Sequence, residues 1–337
     1  MINQTNHILL SLAIPTYNRP KQIIRLLKGV LPQITPEIEV VVRDDSSNNE
    51  TEKAVKEIFA QANKIPNLSY YKGDKLGVDL GTLFVVEAAK GEYVWTFGDD
   101  DEITGGALKH VADLVKKHPE ITFLWANYLS DGGPYSAVRM SSDKFFKDRN
   151  QVLEELKNEM TLLSTFIFKK DEAMSAMPLA KKYAGSYWSI IVLILEVLSK
   201  NGRFYFLKGP YVLNNLEPHG EADFYGGFQV FGVNLFQVFE EFKGKFNKKS
   251  IRVFFTKHFG QVWRGVLVNR ARYPVSIIKS GILAKISKLY WNYPEYWIAL
   301  PFLLMPRFML VSFYRVYKIF FSHRKFIFNK SLKSLLK

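Results

Sequence analysis

The chain has 337 residues, of which 47% are apolar or aromatic and 23% are charged. This length allows one large domain or two ordinary ones, with a substantial buried core. The chain contains no cysteine, which excludes a disulfide framework and a thiolate metal site. Residues 1–7 are polar and lack the basic and then apolar pattern of a secretory signal, so we expect the N-terminal part to stay in the cytosol.

The net charge of +14 is distributed unevenly along the chain. Residues 242–337 contain 20 Lys or Arg and one acidic residue, Glu295. Residues 1–241 contain 26 basic and 31 acidic residues. The excess positive charge of the last third indicates a polyanionic partner, either nucleic acid or an anionic lipid surface.

The first 130 residues alternate between strand and helix signals. Short apolar or β-branched runs predict strands, and apolar residues at helical spacing predict helices. The predicted strands are 9–14, 39–43, 68–72, 93–97 and 121–126, and the predicted helices are 19–31, 51–62, 81–90 and a helix capped by Thr104 that ends at Lys117. Such an alternation predicts an α/β fold, with a mostly parallel sheet flanked by helices.

The signals after residue 130 are weaker. A Gly-Gly-Pro turn at 132–134 is followed by the predicted elements, which are strand 163–168, helix 188–200, strands 203–207 and 211–213, and a polar loop at 214–220. From about Phe228 onward we predict only aromatic-rich helices. We therefore divide the chain into a domain of residues 1–225, with parts 1–130 and 131–225, and a basic helical region of residues 226–337.

Three polar clusters lie where predicted strands end, and ligands of open parallel α/β sheets bind beyond such strand ends. The clusters are PTYNR at 15–19, DDSS at 44–47 and DDD at 99–101. Adjacent carboxylates repel one another, so the third cluster needs a compensating positive charge. Mg²⁺ or Mn²⁺ prefers carboxylate oxygens and bridges them to substrate phosphates. The alternative is a solvated acidic loop.

Four segments in this order resemble the glycosyltransferase family 2 domain of the GT-A fold. They are IPTYNRP at 14–20, VVRDDSS at 41–47, Leu76-Gly77, and GEYVWTFGDDDEI at 91–103. The WTFGDDD segment and the later Gly185-Ser186-Tyr187 are most similar to abequosyltransferase-like enzymes of O-antigen assembly. The resemblance implies transfer of a sugar from a nucleotide-diphosphate donor, with Mn²⁺ or Mg²⁺ as the cofactor.

The resemblance also assigns roles to residues. It implies that the nucleotide-sugar is bound by Pro15, Thr16, Tyr17, Arg19, Asp44 or Asp45 (for the base), Gly77 and Asp99. The family's metal-binding DxD motif matches positions 98–100. Gly98 stands where many members have the first aspartate, so the metal role shifts onto Asp100, with Asp99 or Asp101 beside it. A cation there would stabilise the diphosphate leaving group.

An inverting transfer needs a general base, usually Asp or Glu. Many family members supply it before a helix in the second half, but the matching residues 185–189 contain no carboxylate. Asp101 and Asp131 are the candidates, and we assign Glu196 to the solvent edge of an apolar helix. His219, in the polar loop, is a candidate contact to the metal or the diphosphate, or an exposed histidine without a role.

The basic C-terminal third suggests a membrane surface. Residues 296–306 are apolar but too few for a spanning helix, which needs about 20 residues. On a helix over 307–325, Arg307, Lys318 and Lys325 fall within about 20° of one another, opposite an aromatic and aliphatic face. This pattern is typical of peripheral or monotopic attachment, which we expect on the cytoplasmic side of the cell membrane. The alternative is that the apolar face packs on the catalytic domain.

These observations together predict a metal-dependent inverting glycosyltransferase of surface-polysaccharide synthesis, acting on a lipid-linked saccharide or other glycan. One rival is a nucleotidyltransferase, although that class usually has a Gly-rich loop where this chain has PTYNRP. The other is a non-catalytic protein that binds anionic lipid or nucleic acid. We expect no nucleic-acid partner, because no recognition motif accompanies the charge. The sequence leaves the sugar, the nucleotide base, the linkage and the oligomeric state open.

Overall fold

The computed structural model describes residues 7–61, 67–130, 136–215, 227–273 and 276–315. The chain divides into two compact units. We call residues 1–131, 135–152 and 159–217 the N-terminal unit, and residues 132–134, 153–158 and 218–337 the C-terminal unit.

The N-terminal unit is built on a mixed sheet. In the described part of the chain its strands are β1 (Leu10–Thr16), β2 (Ile38–Asp44), β3 (Leu68–Lys72), β4 (Tyr93–Thr96), β5 (Glu102–Ile103), β6 (Ile121–Ser130), β7 (Lys144–Phe145), β8 (Phe166–Lys169) and β9 (Arg203–Asn214). Their order is β3-β2-β1-β4-β8-β6-β9-β5, and β7 pairs with β9. The strands β3-β2-β1-β4 are parallel neighbours, as are β6 and β9. The other pairs, including β8 with both β4 and β6, are antiparallel, so the sheet is mixed rather than mostly parallel.

Helices flank this sheet and connect its strands. They are α1 (Pro20–Val30), α2 (Glu50–Gln61), α3 (Gly77–Ala88), α4 (Ala107–Lys117), α6 (Lys170–Lys182) and α7 (Ser189–Ser199). Helix α5 (Arg149–Leu156) contains residues of both units. In helix α1 the apolar residues at helical spacing form the buried face, because Ile23, Leu26 and Leu27 are all fully buried. Strand β2 is buried along its whole length, as expected of a central parallel strand.

Some predicted boundaries were wrong. The helix predicted to be capped by Thr104 begins at Ala107, after Gly106 with φ +76°. Thr104 instead donates its backbone N–H to the Tyr211 carbonyl at 3.1 Å and so continues the pairing of β5 with β9. The strand predicted at 163–168 begins with a 3₁₀ turn, Leu163–Thr165, and the strands predicted at 203–207 and 211–213 are one strand, β9.

The described residues of the C-terminal unit from Gly227 onward are mainly helical, as predicted from about Phe228 onward. A π-helix at Gln229–Asn234 is followed by α8 (Leu235–Glu241), α9 (Lys248–Arg272), α10 (Ile282–Tyr290), α11 (Pro294–Leu304) and α12 (Arg307–Arg315). Asn247 caps α9 by accepting the Ser250 backbone N–H. No described helix is by itself long and apolar enough to cross a bilayer, whereas α11 and α12 reach that length and composition only together, across a bend of 98°.

Candidate active site

The carboxyl ends of the neighbouring strands β1 and β4 bring two of the predicted polar clusters together. Thr16 ends β1, and its hydroxyl donates a 2.6 Å hydrogen bond to Asp99 Oδ2. Asp99 is 5% exposed. Burial raises the pKa of Asp99, although the Thr16 hydroxyl and the charge of Arg19 oppose that shift. The parallel register of β1 and β4 therefore places the PTYNR and DDD clusters in direct contact.

Arg19, just before α1, supplies positive charge to this corner. Its Nη1 lies 2.9 Å from Asp99 Oδ1 and 2.8 Å from Asp100 Oδ2. Burial alone would lower the pKa of Arg19, but the two carboxylates raise it. Arg25 adds a second guanidinium, with Nε 3.3 Å from Glu102 Oε1 and Nη2 bonded to the Asp100 carbonyl. The repulsion that the sequence predicts among the aspartates is thus relieved in part by protein cations.

Asp100 differs from its two neighbours in exposure. Its side chain is 23% exposed, whereas that of Asp99 is 7% exposed and both Asp99 oxygens are hydrogen-bonded within the protein. A Cβ atom at Gly98 would lie 3.1 Å from Asp100 Oδ1. The Asp100 carboxylate therefore borders the space that a side chain at position 98 would enter.

The donor set around Asp100 fits one kind of divalent cation site. Among the described residues, no three or more Asp, Glu, His or Cys side chains form a group that could hold a metal. Mg²⁺, however, is often held by one or two carboxylates together with the substrate's phosphates. The carboxylate of Asp100, which is partly exposed and paired with Arg19 through Oδ2, could provide one ligand to such a cation, which would arrive with the diphosphate. Metal binding stays a prediction.

Asp101 is buried and holds surrounding loops together. Ser164 donates its hydroxyl to Asp101 Oδ2, while Asp101 Oδ1 accepts the Asn214 side-chain amide at 2.9 Å and the Asn215 backbone N–H at 3.2 Å. Burial raises the pKa of Asp101 to about 6. Because this side chain is only 1% exposed, it does not present its carboxylate to solvent. The predicted role of Asp101 as a base stays a prediction.

The aspartates that end β2 are also buried within the protein. Asp44 accepts the Tyr70 hydroxyl at 2.6 Å and the Ser46 backbone N–H at 2.8 Å. Asp45 Oδ1 accepts from Arg43 Nε at 2.8 Å. Asp45 Oδ2 accepts the backbone N–H groups of Leu76 and Gly77, at 2.8 and 2.9 Å. The Asp45 carboxylate thus fixes the turn that begins α3, where Gly77 has φ +80°.

The loop between β1 and α1 is tied to the loop after β2. Asn18, at φ +52°, donates its backbone N–H to Ser46 Oγ at 2.8 Å and accepts the Ser47 backbone N–H at 3.2 Å. Tyr17 is 40% exposed, and Lys75 Nζ lies 4.1 Å from its ring centroid. The aromatic face and the ammonium group stand together at the surface.

Asp79 organises the segment before α7, which the sequence singled out as lacking a carboxylate. Its Oδ2 accepts the backbone N–H groups of Gly185 and Tyr187, at 2.7 and 2.8 Å, and its Oδ1 accepts that of Ser189 at 3.0 Å. Tyr187 has φ +68° and is 58% exposed. A carboxylate from α3 therefore lies against this segment, where it is buried and accepts three backbone N–H groups.

The remaining residues that the sequence singled out are either half-buried or outside the described residues. Pro15 lies on β1 and is half-buried. Glu196 is half-buried on α7, among buried apolar neighbours. Asp131 and His219 lie outside the described residues, as does most of the amphipathic pattern predicted over 307–325. The predicted roles of Asp131 and His219 stay predictions.

Sequence reasoning missed several residues that shape this corner. They are Arg25, Tyr70, Asp79, Ser164, Asn214 and Asn215. The adjacent asparagines at the end of a predicted strand were a usable signal, because polar residues at strand ends had marked the other clusters. Ser164 and Asp79 carried no such signal, since each acts on a segment distant in the sequence.

Comparison with known proteins supports this description. Residues 11–173 match Glycosyl transferase family 2. Abequosyltransferase RfbV of Salmonella typhimurium is 24% identical over 242 residues, covering 64% of this chain and 70% of that protein. The GalNAc(5)-diNAcBac-PP-undecaprenol beta-1,3-glucosyltransferase of Campylobacter jejuni is 24% identical over 248 residues, covering 73% of this chain and 64% of that protein.

Solved structures show the same fold. The crystal structure of S. aureus TarS 1–349 in complex with UDP-GlcNAc has a TM-score of 0.51 and 17% identity, covering 86% of this chain and 91% of that one. Longer S. aureus TarS has a TM-score of 0.53 and 20% identity, with 75% of this chain and 44% of that one covered. The chain thus spans less than two thirds of the Campylobacter relative and of the longer TarS chain. The N-terminal unit has a GT-A-like fold, and residues 11–173 of this chain match glycosyltransferase family 2.

Proposed function

We propose that this protein transfers a sugar, with inversion, from a nucleoside-diphosphate donor to a lipid-linked saccharide or other glycan of a surface polysaccharide. The observation that carries the proposal is the corner where Arg19 contacts Asp99 and Asp100 at the ends of β1 and β4. Relatives that are named abequosyltransferase and undecaprenol-linked glucosyltransferase support the substrate classes. The UDP-GlcNAc complex of TarS supports the donor class.

The donor would lie across the ends of β1 and β2. Tyr17 and Lys75 form an exposed aromatic and cationic pair there, suited to the base and the phosphates. Arg19, 35% exposed on its side chain, offers a guanidinium to the diphosphate. The buried Asp45 shapes the adjacent turn at Gly77 rather than projecting into solvent. Its part in donor binding is therefore to position the backbone at Gly77.

The metal would be held by Asp100, whose side chain is 23% exposed. Mn²⁺ or Mg²⁺ bound there would supply charge stabilisation to the departing diphosphate. Arg19 supplies positive charge at the same place and keeps Asp99 and Asp100 from repelling each other. These residues hold and orient the leaving group.

In an inverting transfer, a base takes the proton of the acceptor hydroxyl, whose oxygen bonds to the anomeric carbon as the bond to the nucleoside diphosphate breaks. The candidates for this base remain Asp101 and Asp131. Exposed Tyr187 provides an aromatic face of the kind that stacks on sugar rings. We place it on the acceptor side of the reaction.

The experiment is donor hydrolysis by the full chain over a panel of nucleotide-sugars, with Mn²⁺, Mg²⁺ or EDTA. We expect at least one donor to be hydrolysed only when metal is added, and Asp100→Ala to lower that rate at least 100-fold. Asp113→Ala removes an exposed aspartate of α4, paired with Lys109, and is the matched control. Full metal-dependent activity of Asp100→Ala would show that the metal is bound elsewhere.

A further inference from the structure

The C-terminal unit carries an apolar surface that no part of the proposed reaction uses. Helix α11 has one charged residue, Glu295, in eleven. Tyr296, Ala299 and Leu303 are buried on one face, while Trp297, Ile298, Phe302 and Leu304 are 43–68% exposed on the other. A helix that is apolar on all sides is normally buried throughout. The outer face of α11 therefore requires an apolar environment from outside the unit.

Helix α12 continues this surface after a sharp bend. Phe308 is 72% exposed and Phe313 is 61% exposed. α11 and α12 meet at 98°, so together they form a short apolar wedge rather than a single rod. Large apolar side chains exposed side by side are unusual on a protein that works only in water. We call the exposed side chains of Trp297, Ile298, Phe302, Leu304, Phe308 and Phe313 the apolar wedge.

Buried Arg270 of α9 fixes the bend. Its guanidinium donates to the carbonyl oxygens of Leu303 and Met305, the latter at 2.9 Å. These carbonyls belong to the last turn of α11 and its C-cap, where no intrahelical donor is left. Arg307 Nε donates back to the Arg270 carbonyl at 3.2 Å. The wedge is therefore built into the unit, and its backbone polar groups at the bend are satisfied by protein.

The charged residues of helices α10 to α12 indicate what covers the wedge. Residues 276–315 contain five Lys or Arg and one acidic residue. Lys285, Lys288, Arg307 and Arg315 are exposed. Trp291 is 63% exposed, and its carbonyl accepts the Trp297 Nε1–H at 2.9 Å, so the Trp297 ring can enter an apolar phase without losing a hydrogen bond. Aromatic side chains flanked by cations match the interface of an anionic bilayer.

We infer that the α11–α12 wedge inserts into one leaflet of an anionic membrane and holds the protein there without spanning the bilayer. The inference does not rest on the proposed sugar transfer, because it uses only the C-terminal unit. A second copy of the chain or another protein would also need an apolar face, but neither explains the excess of exposed cations on α10 and α12. Both are outcomes of the test.

The test is co-sedimentation of the full chain with vesicles of phosphatidylglycerol and phosphatidylcholine (1:1), and with phosphatidylcholine alone. We expect binding to the anionic vesicles, and a loss of at least tenfold in partitioning for the combined variant Trp297→Gln, Phe302→Gln, Phe308→Gln. All three side chains are exposed, so far-UV circular dichroism should be unchanged. Met174→Gln, at a 37% exposed apolar residue of the N-terminal unit, is the matched control and should bind as wild type.

Fluorescence quenching locates the wedge in the bilayer. Acyl-chain-brominated phospholipid should quench wild-type emission, and Trp297→Phe should lose a large part of that quenching. Equal vesicle binding by wild type and the combined variant would overturn the inference. So would a wild-type dimer in sedimentation velocity that the combined variant converts to a monomer, with no vesicle binding by either. Vesicle binding without quenching of Trp297 would exclude insertion of the wedge.

Discussion

A single nitrogen of Arg19 joins two carboxylates: its Nη1 lies 2.8 Å from Asp100 Oδ2 and 2.9 Å from Asp99 Oδ1. Asp99 is further held by the Thr16 hydroxyl, so the end of β1 and the end of β4 share one ion-pair network. A diphosphate that enters this corner meets a guanidinium already placed by the protein. Preorganised charge of this kind stabilises a leaving group without reorganisation at the moment of reaction.

Arg19→Met should weaken both this network and donor binding. The variant leaves two carboxylates without their shared cation, and loss of a hydrogen-bonded charge costs about 1–3 kcal/mol of stability. We expect the dissociation constant of a nucleoside diphosphate, measured by isothermal titration calorimetry, to rise at least tenfold. Arg19→Lys keeps the charge, so its dissociation constant should lie between those of wild type and Arg19→Met. Lys21→Met, at an exposed lysine of α1, should bind as wild type, and equal affinity of Arg19→Met would remove Arg19 from the donor site.

The central strands were predictable because their burial pattern is local. Strand β2 was predicted within one residue at each end, since a β-branched run buried on both faces gives a strong signal. The half-buried edge strand β3 was also predicted at its observed bounds. The polar clusters were predictable for a related reason. Carboxyl ends of parallel strands share one edge of a sheet, so Thr16 and Asp99 had to be near each other once β1 and β4 were neighbours.

The remaining features depend on partners far along the chain. Helix α3 begins at Gly77 rather than at 81, because Asp45 accepts the backbone N–H groups at its start from 31 and 32 residues away. Asp79 accepts from Gly185 across 106 residues. Neither contact can be predicted from the residues next to it in the sequence. The burial of Asp101 was likewise hidden, because the sequence shows three adjacent aspartates and only the fold separates the partly exposed Asp100 from its buried neighbours.

The variant Asp101→Asn tests whether Asp101 is the general base or a residue that only positions its neighbours. An asparagine keeps an oxygen that can accept from Asn214 and Asn215, as Asp101 Oδ1 does. We therefore expect the variant to retain at least a tenth of the wild-type transfer rate, whereas loss of a general base costs about 10²–10⁴-fold. Asp131→Asn is the parallel variant. A loss of 100-fold or more in Asp101→Asn, with the melting temperature unchanged, would make Asp101 the base.

Asp79→Ala should destabilise the N-terminal unit. The carboxylate accepts three backbone N–H groups, from Gly185, Tyr187 and Ser189. Leaving a buried donor without an acceptor costs about 1–3 kcal/mol, and such losses are not additive. We therefore expect the free energy of unfolding in urea to fall by about 3 kcal/mol. Glu87→Ala, at an α3 residue paired with Lys181, is the control and should cost less than about 1 kcal/mol. An Asp79→Ala loss as small as that of the control would contradict this role.

Tyr187→Gly should lower the rate of sugar transfer while leaving the free energy of unfolding nearly unchanged. Tyr187 is held at φ +68°, which costs a residue with a side chain about 1–2 kcal/mol, while glycine adds about 0.5–1 kcal/mol of unfolded-chain entropy. The stability should therefore stay within about 1 kcal/mol of wild type. If the exposed ring contacts the acceptor, transfer should fall at least tenfold while metal-dependent donor hydrolysis is kept. Tyr187→Phe keeps the ring and should transfer as wild type; full transfer by the glycine variant would place the acceptor elsewhere.

His258 should make the C-terminal unit sensitive to acid. It is 2% exposed on α9, and one of its ring nitrogens, Nε2, lies 2.6 Å from the Phe231 carbonyl. Burial lowers its pKa from 6.5 to about 4, although the bond to Phe231 opposes the shift. Between these two values the unfolded chain binds a proton that the folded chain does not. The stability that the C-terminal unit gains from keeping His258 neutral is therefore fully present above pH 6.5. It is lost as the pH falls from there through about 4.

His258→Gln removes this titration and retains an amide that can donate to the Phe231 carbonyl. At about 1.4 kcal/mol for each pKa unit, wild type should lose about 3 kcal/mol more than the variant between pH 7 and pH 4. Urea unfolding of both proteins at several pH values measures the difference, because every other titrating group is common to the two. Parallel stability curves over this range would mean that His258 is protonated in the folded protein, and that burial on α9 does not exclude its charge.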